Sequence, residues 1–273
     1  ADTLTSFDSD GFALGADVKV NTDTEDYVAW CWKAGNSAGS SNTDGTITST
    51  ATANTTSGCS IVKWTGTGVN ATVGHSMGTA PSLIIVKRYS SSGGGWPVRH
   101  PRVTTADVYV VWVHQTNAET SDAANFNSTA PTSTVFSLGT SNNVNKPDGH
   151  DHIAYCFAEK QGYSKFGSYT GNGDADGTFV YTGFRPAFVM TKSVDSTSSW
   201  EMFDNKREGY NVDNDALVAD DTTVEATADQ IDLLSNGFKC RIATDPNVAE
   251  TYIYIAFAEA PFVNSNGVPC NAR

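Results

Sequence analysis

The sequence is short of charge, of helical periodicity and of paired cysteines. Charged residues make up only 17% of its 273 positions, an uncharged, Ser/Thr/Asn/Gly-rich composition that suits extracellular or virion β-structure better than a cytosolic helical enzyme. Basic residues are scarcest: Lys and Arg number 17 against 30 Asp and Glu, for a net charge of −13. Phosphate backbones and anionic bilayers would repel such a chain, so nucleic acid is not an expected partner. No run of 18 apolar residues occurs and the polar opening from Ala1 lacks a basic and then apolar leader pattern, so no membrane insertion is expected. The five cysteines (Cys31, Cys59, Cys156, Cys240 and Cys270) are odd in number and lack CxxC spacing. That argues against a zinc knuckle or a complete disulfide framework and for mostly buried thiols. Amphipathic helical spacing is almost absent, and its best stretch, Thr222 to Leu234, reads as a loop or one turn.

What the sequence does have is self-similarity. Tyr27 to Trp32 reads YVAWCW, His152 to Phe157 reads HIAYCF and Tyr252 to Phe257 reads YIYIAF, the last two both continuing as Ala-Glu. Their nearly unbroken apolar runs predict strands covered on both faces. A longer block, Gly58 to Lys87, aligns with Gly162 to Lys192 once a single residue is inserted. Both copies carry an aromatic-Thr-Gly-x-Gly turn (Trp64 to Gly68, Tyr169 to Gly173), a proline, and a β-rich run ending in Lys; a Ser/Gly stretch and a tryptophan, Trp96 or Trp200, follow. This is a duplication of roughly 100 residues. The opening Phe7-Asp8-Ser9-Asp10-Gly11-Phe12, followed by the Tyr27 segment, echoes Leu233-Leu234-Ser235-Asn236-Gly237-Phe238 followed by the Tyr252 segment, so the chain is expected to begin inside the second half of a module.

Strands are predicted at Ser60 to Trp64, Leu83 to Arg88, Val108 to His114, Ala187 to Thr191 and the three repeated segments, separated by short Gly, Asn and Asp turns. The expected fold class is all-β, with tandem antiparallel β-sandwich modules of jelly-roll or lectin-like type arising from the duplication. Residues 1–56 read as a partial module, the C-terminal half of a preceding repeat, plus a Ser/Thr/Gly-rich linker. Residues 57–160 read as module 1 and residues 161–273 as module 2, with an exposed tail from Pro261. Gly35 to Gly58 contains one Ile and no aromatic, which points to a linker or exposed loop. Glu159 to Gly162 is so short that the modules should pack rigidly.

Reactive chemistry finds little support. Thr65-Gly66-Thr67-Gly68 and Thr170-Gly171-Asn172-Gly173 are followed by strands rather than by a helix N-terminus, so they read as β-turns and not as phosphate loops. Asp174-Ala175-Asp176-Gly177 begins like a calcium loop but lacks the later bidentate Glu, and Asp148-Gly149-His150-Asp151-His152 reads as a solvated turn. No metal and no cofactor is expected. No GxSxG elbow is present, and Glu159 and Glu259 occupy one repeated position in different modules rather than facing each other across a cleft, so no catalytic residues are assigned. Sugar stacking would need exposed aromatic faces. Trp96 and Trp200 are the candidate ligand-binding residues because they recur, with Trp112 and Tyr210 behind them; the competing reading is that a repeated tryptophan plugs the core.

YTGFRPAFVMTK, LLSNGFKCR, TYIYIAFAEAPFVNSNGVPCNAR, GTGVNATVGHSMGTAPSLIIVKR and NSTAPTSTVFSLGT resemble a repeated module of tailed-bacteriophage structural proteins, especially aquatic ones, in which it sometimes follows a SPRY-like domain. The resemblance spans essentially the whole chain. It implies a non-enzymatic virion protein, a tail-fibre or appendage component contributing to host-surface attachment, with head decoration as an alternative. Other virion subunits, a homo-oligomer such as a trimer, and host surface glycans are the partners it implies, and a virion the location. A carbohydrate-binding, lectin-like module is the rival reading.

Overall fold

The computed structural model describes residues 2–35, 38–207, 211 and 215–259. It falls into two compact units, one ending at Trp32 and the other beginning at Lys33.

In the small unit, β1 (Leu4–Phe7) and β2 (Phe12–Leu14) form an antiparallel hairpin, its turn closed by the Asp8 amide donating to the Gly11 carbonyl at 2.9 Å. The hairpin half of the expected echo is present. The strand half is not: Tyr27 to Trp32 has no regular secondary structure, and Cys31, expected to be buried in a strand, is exposed. The reason lies in hydrogen bonding. In the complete modules described next, the matching segment is the middle strand between two strands that precede it in sequence. The described residues before Tyr27 form only the β1–β2 hairpin, so neither flanking strand of such a sheet is present among them.

In the large unit the chain forms β3 (Ser40–Asn42), β4 (Ser49–Asn54), β5 (Cys59–Thr65), β6 (Ala71–Gly74), β7 (Leu83–Arg88), β8 (Pro97–Arg99), β9 (Tyr109–Trp112), β10 (Thr120–Ser121), β11 (Val135–Leu138) and β12 (Asp151–Phe157). Eight of these make one antiparallel sheet in the order β10-β9-β8-β7-β12-β5-β4-β3, faced by the β6–β11 pair. Two one-turn helices, α1 (Ala123–Phe126) and α2 (Asn142–Asn145), complete this module. After a tight turn in which the Ser164 amide donates to the Lys160 carbonyl, the pattern repeats with β13 (Ser164–Thr170), β14 (Phe179–Tyr181), β15 (Phe188–Ser193), β16 (Glu201–Asp204), β17 (Leu217–Val218), β18 (Ile231–Leu234), β19 (Gly237–Cys240) and β20 (Thr251–Phe257). Its sheets run β13-β20-β15-β16-β17 and β14-β19-β18.

The two modules match strand for strand: β5-β12-β7-β8-β9 has the same order as β13-β20-β15-β16-β17, and β6–β11 corresponds to β14–β19. Both are sandwiches whose named strands pair antiparallel. In β5, Val62 and Trp64 face the first core with Ala154 and Cys156 of β12. In the second core Tyr169, Tyr254 and Ala256 take the places of Trp64, Ala154 and Cys156, and Gly167 stands opposite Tyr254 where β5 has Val62. The aromatic preceding each Thr-Gly-x-Gly turn even stacks in the same way: Trp64 on His152 (5.5 Å, 12°) and Tyr169 on Tyr252 (5.2 Å, 12°).

Two expectations are corrected. The stretch between Gly35 and Gly58 is no linker, because β3 and β4 extend the sheet of module 1 within it. Ser49 and Ala51 turn inward beside Ile47, and the bulk their small side chains lack comes from the sheet opposite. His152, read as the strand start that closes a solvated turn, does lie in β12, but it is fully buried on Trp64 and not solvated. The exposed tail from Pro261 lies outside the described residues.

Candidate functional site: a half-covered sheet face

Each five-strand sheet has an inner face on its own core and an outer face turned away from it. In module 2 the outer face carries Phe166, Met190, Ile253, Ile255 and Phe257, all buried, together with the fully buried Lys192. Module 1 covers it. His100 donates through Nε2 to the Tyr254 carbonyl (3.1 Å), the Glu119 amide donates to the Val194 carbonyl (3.1 Å) and the Ser198 amide donates to the Thr116 carbonyl (2.9 Å). Trp200 Nε1 donates to the Trp112 carbonyl (2.9 Å), and Phe157 packs on Phe166 and Phe257. Burial pushes the His100 imidazole down to about 3 against the opposing pull of the Tyr254 carbonyl, so it sits in the junction as a neutral donor.

Among the described residues, nothing covers the same face of module 1 in that way. Ile61, Ile85, Ile153 and Tyr155 are only half-buried, and Tyr89 is 46% exposed. A groove of about 630 Å³ opens there, lined by Lys63, Lys87, Arg88, Tyr89, Trp96, Ile153 and Tyr155. Cations crowd its aromatic walls: Lys87 Nζ lies 5.1 Å from the Trp96 ring centre and Lys63 Nζ 5.6 Å from that of Tyr89. Lys87 also donates to the Gly94 carbonyl (2.9 Å), and its pKa is lowered, first by burial and then by the adjacent Arg88. Arg88 is itself committed to the carbonyls of Asn142 (2.7 Å), Ser92 and Gly93, which holds the loop in place.

The four aromatic candidates therefore separate. Trp96 lines the groove and is half-buried. Trp200, at the equivalent position, is 0% exposed; as a plug in the junction it has no ring face to offer a sugar, which corrects its assignment as a ligand residue. Trp112 is half-buried against the first core and lies edge-on to His114 (5.8 Å), outside the groove lining. Tyr210 lies outside the described residues. Sequence reading misses Tyr89, Tyr155 and Lys63; the repeated lysine at the end of the β-rich run, Lys87 or Lys192, was the one available signal.

The other candidates resolve as structural. Each Gly-rich turn is held by a fully buried asparagine. Asn145 accepts from the Thr67 amide (2.7 Å) and donates to the Val69 and Gly139 carbonyls. Asn247 accepts from the Asn172 amide (3.2 Å) and donates to the Asp174 and Ile242 carbonyls. Asp174 accepts from the Asp176 amide within its own loop, and Asp176 pairs with Lys239 of β19 at 2.7 Å. Glu159 accepts from the Phe166 amide (2.9 Å) and Glu259 pairs with Lys206. Among the described residues no group of three or more His, Cys, Asp or Glu could hold a metal.

Fold and site together define a tandem all-β sandwich protein with one covered and one half-covered sheet face. The chain belongs to a family described as a domain of unknown function, DUF7483, which matches residues 1–261. No curated protein and no solved structure matches it.

Proposed function

We propose that the chain is a non-enzymatic structural component of a tailed-phage virion, a tail-fibre or appendage subunit that contributes to host-surface attachment. The observation that carries this reading is the junction: two copies of one sandwich are joined by a single tight turn and a buried interface of ring packing and backbone hydrogen bonds. Fused, linker-free repeats of this kind make stiff spacers, and the acidic surface keeps such spacers soluble and apart from nucleic acid. The sequence's resemblance to phage modules supplies the setting. Antibodies raised against the protein should label appendages on particles of the phage that encodes it. Label on the capsid would move the protein to head decoration, and particles free of the protein by mass spectrometry would refute the reading.

Carbohydrate binding retains one specific observation, the groove with Trp96, Tyr89 and Tyr155 beside Lys63 and Lys87. Those residues suit an anionic sugar, stacked on a ring and paired with an ammonium group. An array of acidic glycans with no Trp96-dependent signal would remove it.

A further inference from the structure

We propose that the half-covered face of module 1 is the docking site for module 2 of a second copy of this chain, which would join copies head to tail through counterparts of the contacts that the Trp112 to Glu119 segment already makes between module 1 and module 2. The proposal goes beyond the virion reading, because it stands on the internal equivalence alone.

Backbone hydrogen bonds establish the correspondence. Val113 donates to the Trp96 carbonyl (3.1 Å) as Ala219 donates to that of Trp200 (3.0 Å). The Trp96 amide donates to His114 Nδ1 (3.1 Å) as the Trp200 amide donates to Asp220 Oδ1 (2.7 Å). Segment Trp112 to Glu119, which covers module 2, therefore has the counterpart Val218 to Glu225. The covering groups Trp112 C=O, Thr116 C=O and Glu119 N–H become Val218 C=O, Thr222 C=O and Glu225 N–H. Their receivers on module 2, Trp200, Ser198 and Val194, become Trp96, Gly94 and Tyr89 on module 1.

Both halves of the unmade junction are open. Tyr89 is 46% exposed where its counterpart Val194 is 6%. Val224 is 85% exposed, although its counterpart Ala118 is half-buried. Charge also fits better than inside the chain. The receiving face carries Lys63 and Lys87, and the covering segment has Asp220 and Asp221 where module 1 has His114 and Gln115. Opposite charges favour the pairing and its register. Because donor and receiver are different surfaces, the contact is heterologous and repeats into rings or filaments.

The test is sedimentation velocity on the full chain and two surface variants, Trp96→Ala on the receiving face and Val224→Arg on the covering segment. At concentrations up to about 0.1 mM the native chain should form species beyond a dimer. Each variant alone should associate at least about tenfold more weakly. Mixed, the two variants retain one good donor and one good receiver and should form a heterodimer that grows no further, a result that a symmetric dimer would not give. Circular dichroism spectra matching the native chain show that both variants fold. A monomeric native chain would overturn the proposal, as would self-association indifferent to both substitutions. A monomer that binds an anionic oligosaccharide in a Trp96-dependent manner would overturn it too and give the groove to glycans.

Discussion

At the scale of single residues, equivalent positions do different work according to what covers them. Trp96 and Trp200 have matching backbone partners, yet one ring lines a groove and the other fills the junction with its indole N–H satisfied by the Trp112 carbonyl. Trp200→Ala should cost about 3–5 kcal/mol of stability, since it leaves a large cavity and takes from the Trp112 carbonyl one of its two donors, the Gln115 amide remaining. Trp96→Ala should cost about 1 kcal/mol or less, because its ring is already partly in water. Urea unfolding of the two variants compares them directly. His100 adds a pH dependence with a definite sign. Its folded pKa is lowered from 6.5 to about 3, so the unfolded chain binds the extra proton throughout that interval. Stability from this group is complete above pH 6.5 and drains away as pH falls toward 3. His100→Gln should flatten the midpoint-versus-pH curve between pH 6.5 and 4 relative to the native chain; identical slopes would remove His100 from the junction's acid sensitivity.

At the scale of strands and turns, the recurring device is a buried asparagine under each Gly-rich turn, ahead of the middle strand of its sheet. Asn145 and Asn247 each satisfy backbone groups on both sides of a turn that has no ladder of its own. Replacing either with Ala orphans those groups and should destabilise by about 2–4 kcal/mol, whereas Asn70→Ala on the exposed turn nearby should change little. A melting series would show this. Glu201 of β16 stands where β8 has Pro97, and burial, reinforced by Asp245 and Asp220, raises its carboxyl from 4.5 to about 8. Between those values the unfolded chain ionises first, so native stability declines as pH rises from 4.5 to 8. Glu201→Gln should gain about 1–3 kcal/mol over the native chain at pH 8 and nothing at pH 4. Much at this scale is legible from residue order. The paired blocks from Gly58 and Gly162 yield the same strand order, and the apolar runs of β12 and β20 mark the middle strands. What is not legible is the outside: HIAYCF and YIYIAF look alike, although one outer face is half-bare and the other sealed, because cover comes from residues distant in sequence. β3 and β4 escape notice for a related reason, as Ser, Thr and Ala join a sheet whose bulk lies elsewhere.

At the scale of the molecule, the junction decides whether the two sandwiches behave as one body. Module 2 has buried its outer face under module 1, so unfolding either module exposes apolar surface on the other; at about 25 cal/mol per Å², even a few hundred Å² couples them by several kcal/mol. Residues from Lys33 onward should therefore melt in a single calorimetric transition with matching van't Hoff and calorimetric enthalpies. Trp200→Ala combined with His100→Gln removes the indole plug and weakens the imidazole hydrogen bond without touching the middle of either core. In that double variant the transition should broaden or split in two, each part carrying the enthalpy of one sandwich. A native chain that already shows two transitions would mean that the junction is energetically slight, and the stiffness attributed to the tandem would go with it.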